Sequence, residues 1–332
     1  MRVQMYHVLI FRTCEIMKPD ILLFLDSKWD EWFDMLDETN IFHKKVCKGV
    51  SFFAEERISF SLVSFMSLFQ SYDQQQKPMY IVSGNHDVEG VLATGVMYQA
   101  YENRFRMPRI QKAIIGKVTK PQDIDLNKMY RLPYDYGNSF YSYTTGMLHN
   151  IVLNSFADFE PESNQYRWLL TELESIDRHQ IPWVMISVHC PIYNTFSTHR
   201  HDPQPLQMKK YLEPLFVKYH VNFVLSGHMH AYSRSKNVAN DSLTSTGPMH
   251  IVLGNGGRQL NAPFQSEIPE EWVALRDHTT YGFGTIQVLN KTSALYEWVQ
   301  SGRTNAASPG MNFDDAPENM TDLVYVENQY FV

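Results

Sequence analysis

Val221-Asn222-Phe223-Val224-Leu225-Ser226-Gly227-His228-Met229-His230 is the stretch from which the rest of the chain is read. A short β-branched and aromatic apolar run of this kind reads as a buried strand. Ser226-Gly227 is a turn signal, and it delivers two imidazoles one residue apart. Ligands of open α/β sheets gather where strands end, so His228 and His230 fall where chemistry is usually done. Histidines at i and i+2 can splay to two metal ions, or one can bind metal while its neighbour packs. A loop with two chance histidines, among 13 in the chain, is the remaining reading.

Two other stretches share the design. Pro78-Met79-Tyr80-Ile81-Val82-Ser83 runs into Gly84-Asn85-His86-Asp87, and Pro182-Trp183-Val184-Met185-Ile186-Ser187-Val188 runs into His189-Cys190-Pro191. Three apolar strands that each open onto a His or Asn-His loop are hard to explain by packing. Asn offers a carbonyl oxygen and His a ring nitrogen, a donor set suited to a borderline cation such as Zn, Fe or Mn. The loops are far apart in sequence, so only folding brings them together. Cys190 reads as a small buried residue rather than a ligand or nucleophile.

In this order, Gly84-Asn85-His86-Asp87, Val188-His189 and Gly227-His228-Met229-His230 resemble the last three motif blocks of the calcineurin-like metallophosphoesterases. The flanks resemble those of purple acid phosphatases: Tyr101 to Pro108, Gly137 to Tyr143, Ile151 to Asn154, Gln165 to Leu169, His228 to Arg234 and Gly254 to Arg258. The likeness is close over residues 78–300 and loose over 13–37. It implies a four-layer α/β/β/α fold, a two-sheet β-sandwich with helices on both outer faces.

Composition agrees with a large globular unit. The 332 residues can bury a substantial core, and 44% hydrophobic content excludes a disordered chain. A net charge of −7, from 29 basic and 36 acidic residues, gives no reason to expect nucleic acid or an acidic membrane as partner. Three cysteines without CxxC spacing define no disulfide framework. The apolar patch Val8 to Phe11 lacks the h-region and cleavage site of a signal peptide, and Ile58 to Phe69 is too short to span a membrane.

Strand, helix, strand alternation with long loops predicts a layered α/β fold. The pattern predicts strands at Ile21 to Leu25, Phe140 to Thr144, Asn150 to Asn154 and Met249 to Gly254. It predicts helices over Gln165 to Arg178, Pro205 to Tyr219 and Phe60 to Phe69, and the end of one over Thr13 to Lys18. Trp29, Trp32, Phe33 and Leu36 share a helical face and read as core. Gly282 to Leu289 and Ala294 to Val299 read as a hairpin. Arg104 and Arg106 read as salt-bridge partners or as cations at a site rim. One catalytic domain is expected over 1–300, with 38–77 unassigned, and 301–332 reads as a surface tail from its Asn, Pro, Asp and Gly content.

The resemblance also implies roles. Asn85, His189 and His228 match the ligands of the divalent metal, and His230 matches a ligand of the ferric one, in a dinuclear centre of Fe with Zn, Mn or Fe. His86 matches a phosphate-binding or proton-donating histidine. His199 matches one of two substrate-contacting histidines; Thr198 stands where the other would be, and Arg200 or His201 either compensates or is merely solvated. The implied reaction is hydrolysis of small phosphate monoesters with a metal-activated water, and the implied compartment is secreted or vacuolar. The family's N-terminal Asp-x-Gly and Gly-Asp-x-x-Tyr blocks have no counterpart in this sequence. Asp26 either stands in for the bridging carboxylate or caps a helix beginning near Trp29. A single divalent ion and no purple colour are therefore expected, and a catalytically impaired relative that binds metal or phosphate is the alternative.

Overall fold

The structure is a computed structural model that describes residues 8–13, 21–24, 79–85, 87–88, 96–117, 131–256, 260, 262–305, 308–312 and 322–331. Two large sheets dominate. The first runs β16 (Ser308–Asn312), β15 (Ser293–Asn305), β14 (Thr280–Val288), β1 (Val8–Thr13), β2 (Ile21–Phe24), β3 (Met79–Ile81), and β17 (Asp322–Glu327) also pairs with β15. The second runs β11 (Ser242–Leu243), β10 (Tyr232–Ala239), β12 (Met249–Leu253), β9 (Phe223–Ser226), β8 (Trp183–Ser187), β7 (Leu148–Val152), β6 (Tyr141–Thr145), with β13 (Val273–Asp277) on β10. A two-stranded ribbon joins β4 (Ile114–Ile115) to β5 (Tyr134–Asp135). Helices are α1 (Gln99–Arg104), α2 (Asn164–Ser175), α3 (Pro203–Tyr211) and α4 (Glu213–Lys218).

The middle of the second sheet is parallel: β12 on β9, β9 on β8 and β8 on β7. Every residue of these four strands is buried. Burial on both faces explains why they read as continuous apolar runs without alternation. Along α2, Ser163 accepts from the Tyr166 N–H at the N-terminus, while Leu169 and Leu173 face inward. Gln165 is buried too, its amide bonded to both backbone groups of Asn154, which ties α2 to the end of β7.

The sheets are held face to face by specific side chains. Tyr232 of β10 stacks on Trp298 of β15 with centroids 3.9 Å apart. Arg234 grips Asp322 of β17 through two bonds of 2.6 and 2.7 Å, and the Tyr232 hydroxyl donates to the same carboxylate at 2.6 Å. A paired, charge-assisted fork satisfies both buried charges. At the other edge Tyr80 stacks on Tyr143 at 3.5 Å. The Tyr141 hydroxyl accepts from the Ile81 N–H at 3.0 Å and donates to the Ile81 carbonyl at 2.6 Å. That hydroxyl fixes the last residue of β3, from which the Gly84-Asn85 loop departs. Tyr141→Phe would leave two buried backbone groups unpaired, and it is expected to cost about 1–3 kcal/mol. Urea unfolding should show a lower midpoint at unchanged slope; an unchanged midpoint would mean the clasp carries no load.

Three sequence expectations are corrected. Among the described residues beyond 301, expected as a surface tail, β15 continues to Asn305, and β16 and β17 pair with it. Asp-Leu-Val-Tyr-Val-Glu alternates, placing Val326 inward and Leu323 and Tyr325 outward, and strand pairing overrides the polar composition around it. The helix expected over Pro205 to Tyr219 is two helices meeting at Leu212. Pro214 has no N–H to continue the ladder, which ends the first helix there. Thr13, expected at a helix end, closes β1 instead. The helices expected around Trp29 and Phe60 lie outside the described residues.

Candidate metal centre

The site forms where β3, β8 and β9 end. Continued strand pairing does the positioning: Val188 N–H donates to Leu225 C=O, and Gly227 N–H donates to His189 C=O, both at 2.9 Å. These bonds set His189 beside Gly227-His228. Asn85 arrives from the other sheet in a tight turn, where Asp87 N–H donates to Gly84 C=O and Gly84 N–H donates to the Asp87 carboxylate at 2.7 Å.

The His228 loop is sharply folded. His228 has φ of 66°, in the left-handed region. Met229 N–H donates to Gly227 C=O and Ala231 N–H to Met229 C=O, two consecutive i to i+2 turns. A positive-φ γ-turn at a non-glycine residue is strained, by about 1–3 kcal/mol, and persists only where its surroundings fix it. Here the fixing is visible. Met229 packs with Phe196, Ala231, Val252, Ala262 and Phe264. Gly254 N–H bonds the Ala231 carbonyl, and its Cα lies so close to Met229 that a Cβ would fall 1.3 Å from the Met229 oxygen.

Three donors converge inside. His189 Nε2 lies 3.1 Å from Asn85 Oδ1 and 3.0 Å from His228 Nδ1. His189 is fully buried, and Asn85 and His228 are nearly so. Two donors about 2.0–2.2 Å from one cation stand about 3.3–3.6 Å apart at tetrahedral angles and about 2.8–3.1 Å apart at octahedral ones. One carbonyl oxygen and two imidazole nitrogens at this spacing therefore fit a borderline divalent ion. On its other side His228 Nε2 lies 3.5 Å from Asp202 Oδ2, and the same oxygen is 2.8 Å from His199 Nδ1. His199, Asp202 and His228 form a second group of spacing compatible with an ion. The 2.8 Å contact has the length of a charge-assisted hydrogen bond. The Asn85 group is the more buried of the two.

The fold thus brings together Asn85, His189, His228 and His199, whose ring lies 4.0 Å from that of His228. His230 is half-buried two residues along the same loop, whereas Arg200 and His201 are exposed and Thr198 is half-buried. His86 and Asp26 lie outside the described residues. Arg106 is exposed, with no ion pair among the described residues. Asp202 was not anticipated; the only trace in sequence is an Asp three residues after His199 and directly before a proline-rich helix start.

Comparison with known proteins identifies the family. The calcineurin-like phosphoesterase model matches residues 37–232, more than half of the chain, and the iron/zinc purple acid phosphatase-like C-terminal model matches 247–307. Probable purple acid phosphatase 20 of Arabidopsis thaliana is 32% identical over 67% of this chain and 48% of its own length. A phosphoenolpyruvate phosphatase of Allium cepa is 28% identical over 77% of this chain and 48% of its own. The chain thus spans about half the length of the curated relatives it matches. The solved purple acid phosphatase PPD1 from yellow lupin shares the fold, with a TM-score of 0.56 at 17% identity, covering 89% of this chain and 52% of that one. This chain belongs to the calcineurin-like phosphoesterases, and within them it is a purple acid phosphatase-like member.

Proposed function

We propose that the chain is a metal-dependent phosphomonoesterase. The convergence of His189 Nε2 on Asn85 Oδ1 and His228 Nδ1 carries this reading. These three side chains would hold a divalent ion, Zn or Mn; His230 corresponds to the second, ferric position of the family's dinuclear centre, which one imidazole alone would not hold. A bound cation supplies Lewis-acid charge stabilisation for phosphoryl transfer and acidifies water. The protein groups do the rest. His199, held through Nδ1 by Asp202, is free to present Nε2 to a phosphate oxygen or leaving group. His86, next to Asn85 in sequence, is proposed as the second phosphate contact or proton donor. The buried floor beneath, with Phe156 beside His189, excludes water from the inner side of the ligands. The proposed substrates are small phosphate monoesters, and the proposed setting is secreted or vacuolar. No helix among the described residues is long and apolar enough to cross a membrane.

The experiment is a chelation cycle with p-nitrophenyl phosphate as substrate. Hydrolysis is expected to vanish after treatment with a strong chelator and to return on adding Zn or Mn. Phosphate-dependent thermal stabilisation without hydrolysis in the metal-loaded protein would instead assign the chain a binding role. Hydrolysis unaffected by complete metal removal would contradict the metal-dependent reading.

A further inference from the structure

Asp202 occupies the N-cap of α3, a position where a carboxylate ordinarily accepts from the N–H of the second or third helical residue. It makes no such bond. Pro205 stands at the third helical position and has no N–H to give, so the first turn of α3 offers the carboxylate little. Instead Oδ2 is 2.8 Å from His199 Nδ1 and 3.5 Å from His228 Nε2. The side chain is only 14% exposed. The turn is closed by Asp202 N–H donating to the His199 carbonyl. Both histidines sit in the left-handed region, at φ of 55° and 66°, so their rings are held by loop geometry as well.

We infer that Asp202 is a positioning residue that sets the tautomers of His199 and His228 together. An acceptor facing His228 Nε2 calls for the proton on that nitrogen. The lone pair of Nδ1 then faces His189 Nε2, 3.0 Å away. The same oxygen calls for the proton of His199 on Nδ1 and leaves Nε2 for whatever lies in the cleft. One carboxylate thereby links a proposed metal ligand to the proposed substrate-contacting histidine, the two rings lying 4.0 Å apart and tilted by 42°. The consequence for metal affinity rests on the function proposed above; the tautomers do not. Outer-shell partners of metal-bound histidines commonly contribute about 10–100-fold in affinity.

The test has two readouts. Long-range nitrogen–proton spectra of histidine-labelled, metal-free protein should show His228 protonated at Nε2 and His199 at Nδ1. In Asp202→Ala both are expected to become tautomeric mixtures. Zinc affinity is expected to fall about 10–100-fold, with melting temperature nearly unchanged. Asp202→Glu should recover part of the affinity. Wild-type tautomers and wild-type zinc affinity in Asp202→Ala would overturn the inference. Should that variant fail to fold, Asp202→Asn keeps an acceptor without the charge. It is expected to keep both tautomers and bind zinc several-fold more weakly, as loss of a charge-assisted bond requires; unchanged affinity there overturns the inference equally. Tautomers that respond to Asp202 in a protein that binds no zinc would uphold the positioning role and sink the metal assignment instead.

Discussion

Replacing His189 with alanine is expected to lower metal-dependent hydrolysis by roughly a thousandfold or more and to abolish tight zinc binding. His189 Nε2 is the atom common to the two short contacts of the site, 3.1 Å to Asn85 Oδ1 and 3.0 Å to His228 Nδ1. Without it two donors remain, fewer than the three protein ligands that catalytic zinc sites use. A metal supplies several kcal/mol of charge stabilisation in the transition state, and about 4 kcal/mol corresponds to a thousandfold in rate. The fold should survive. The backbone bonds of Val188 and Gly227 that seat the loop do not involve the imidazole, and the β8 residues behind it stay packed. Circular dichroism like that of wild type, with zinc content near zero by elemental analysis, is the expected pair of results. Full turnover in His189→Ala would remove this residue from the site.

Gly254→Ala is expected to be the most damaging single methyl near the site. Its Cβ would fall 1.3 Å from the Met229 oxygen and 2.4 Å from the Met229 carbonyl carbon. Those atoms belong to backbone, not to the far end of a flexible side chain, so the loop between Gly227 and Ala231 must move as a unit. That loop already holds His228 at positive φ, and its Met229 is packed with Phe196, Val252 and Ala262. Overpacking a tight core costs about 1–3 kcal/mol and occasionally more; here a value at or above the top of that range is expected. Displacement of His228 should cost metal affinity as well. Thermal melting and zinc titration of the same preparation separate the two effects. A variant with wild-type stability would mean that the approach of Gly254 to Met229 is looser than the structure places it.

Strand ends and their histidines were legible in sequence for a simple reason. Parallel strands buried on both faces, such as β8 and β9, leave unbroken apolar runs, and a turn signal after such a run marks a strand end at the sheet edge. The pairing of His189 with His228 follows from adjacent parallel strands, which is a local rule. Asn85 is different. Its place depends on the Tyr141 clasp across two sheets and 60 residues of sequence, and nothing in periodicity records it. Gly254 reads only as a turn glycine, because the Met229 carbonyl it touches comes from another strand end. Asp202 drew no reading from sequence, because the prolines that follow it gain meaning only once His199 and His228 are seen beside its carboxylate. β17 was missed because its polar surroundings dominated the composition, although Asp-Leu-Val-Tyr-Val-Glu alternates as an edge strand should.

The assignment of one divalent ion to Asn85, His189 and His228 is tested most directly by anomalous scattering at the zinc edge from crystals grown with zinc. A peak is expected about 2.0–2.2 Å from Asn85 Oδ1, His189 Nε2 and His228 Nδ1 together. A peak instead between His199, Asp202 and the Nε2 of His228, or no peak near these side chains in zinc-saturated protein, would contradict it.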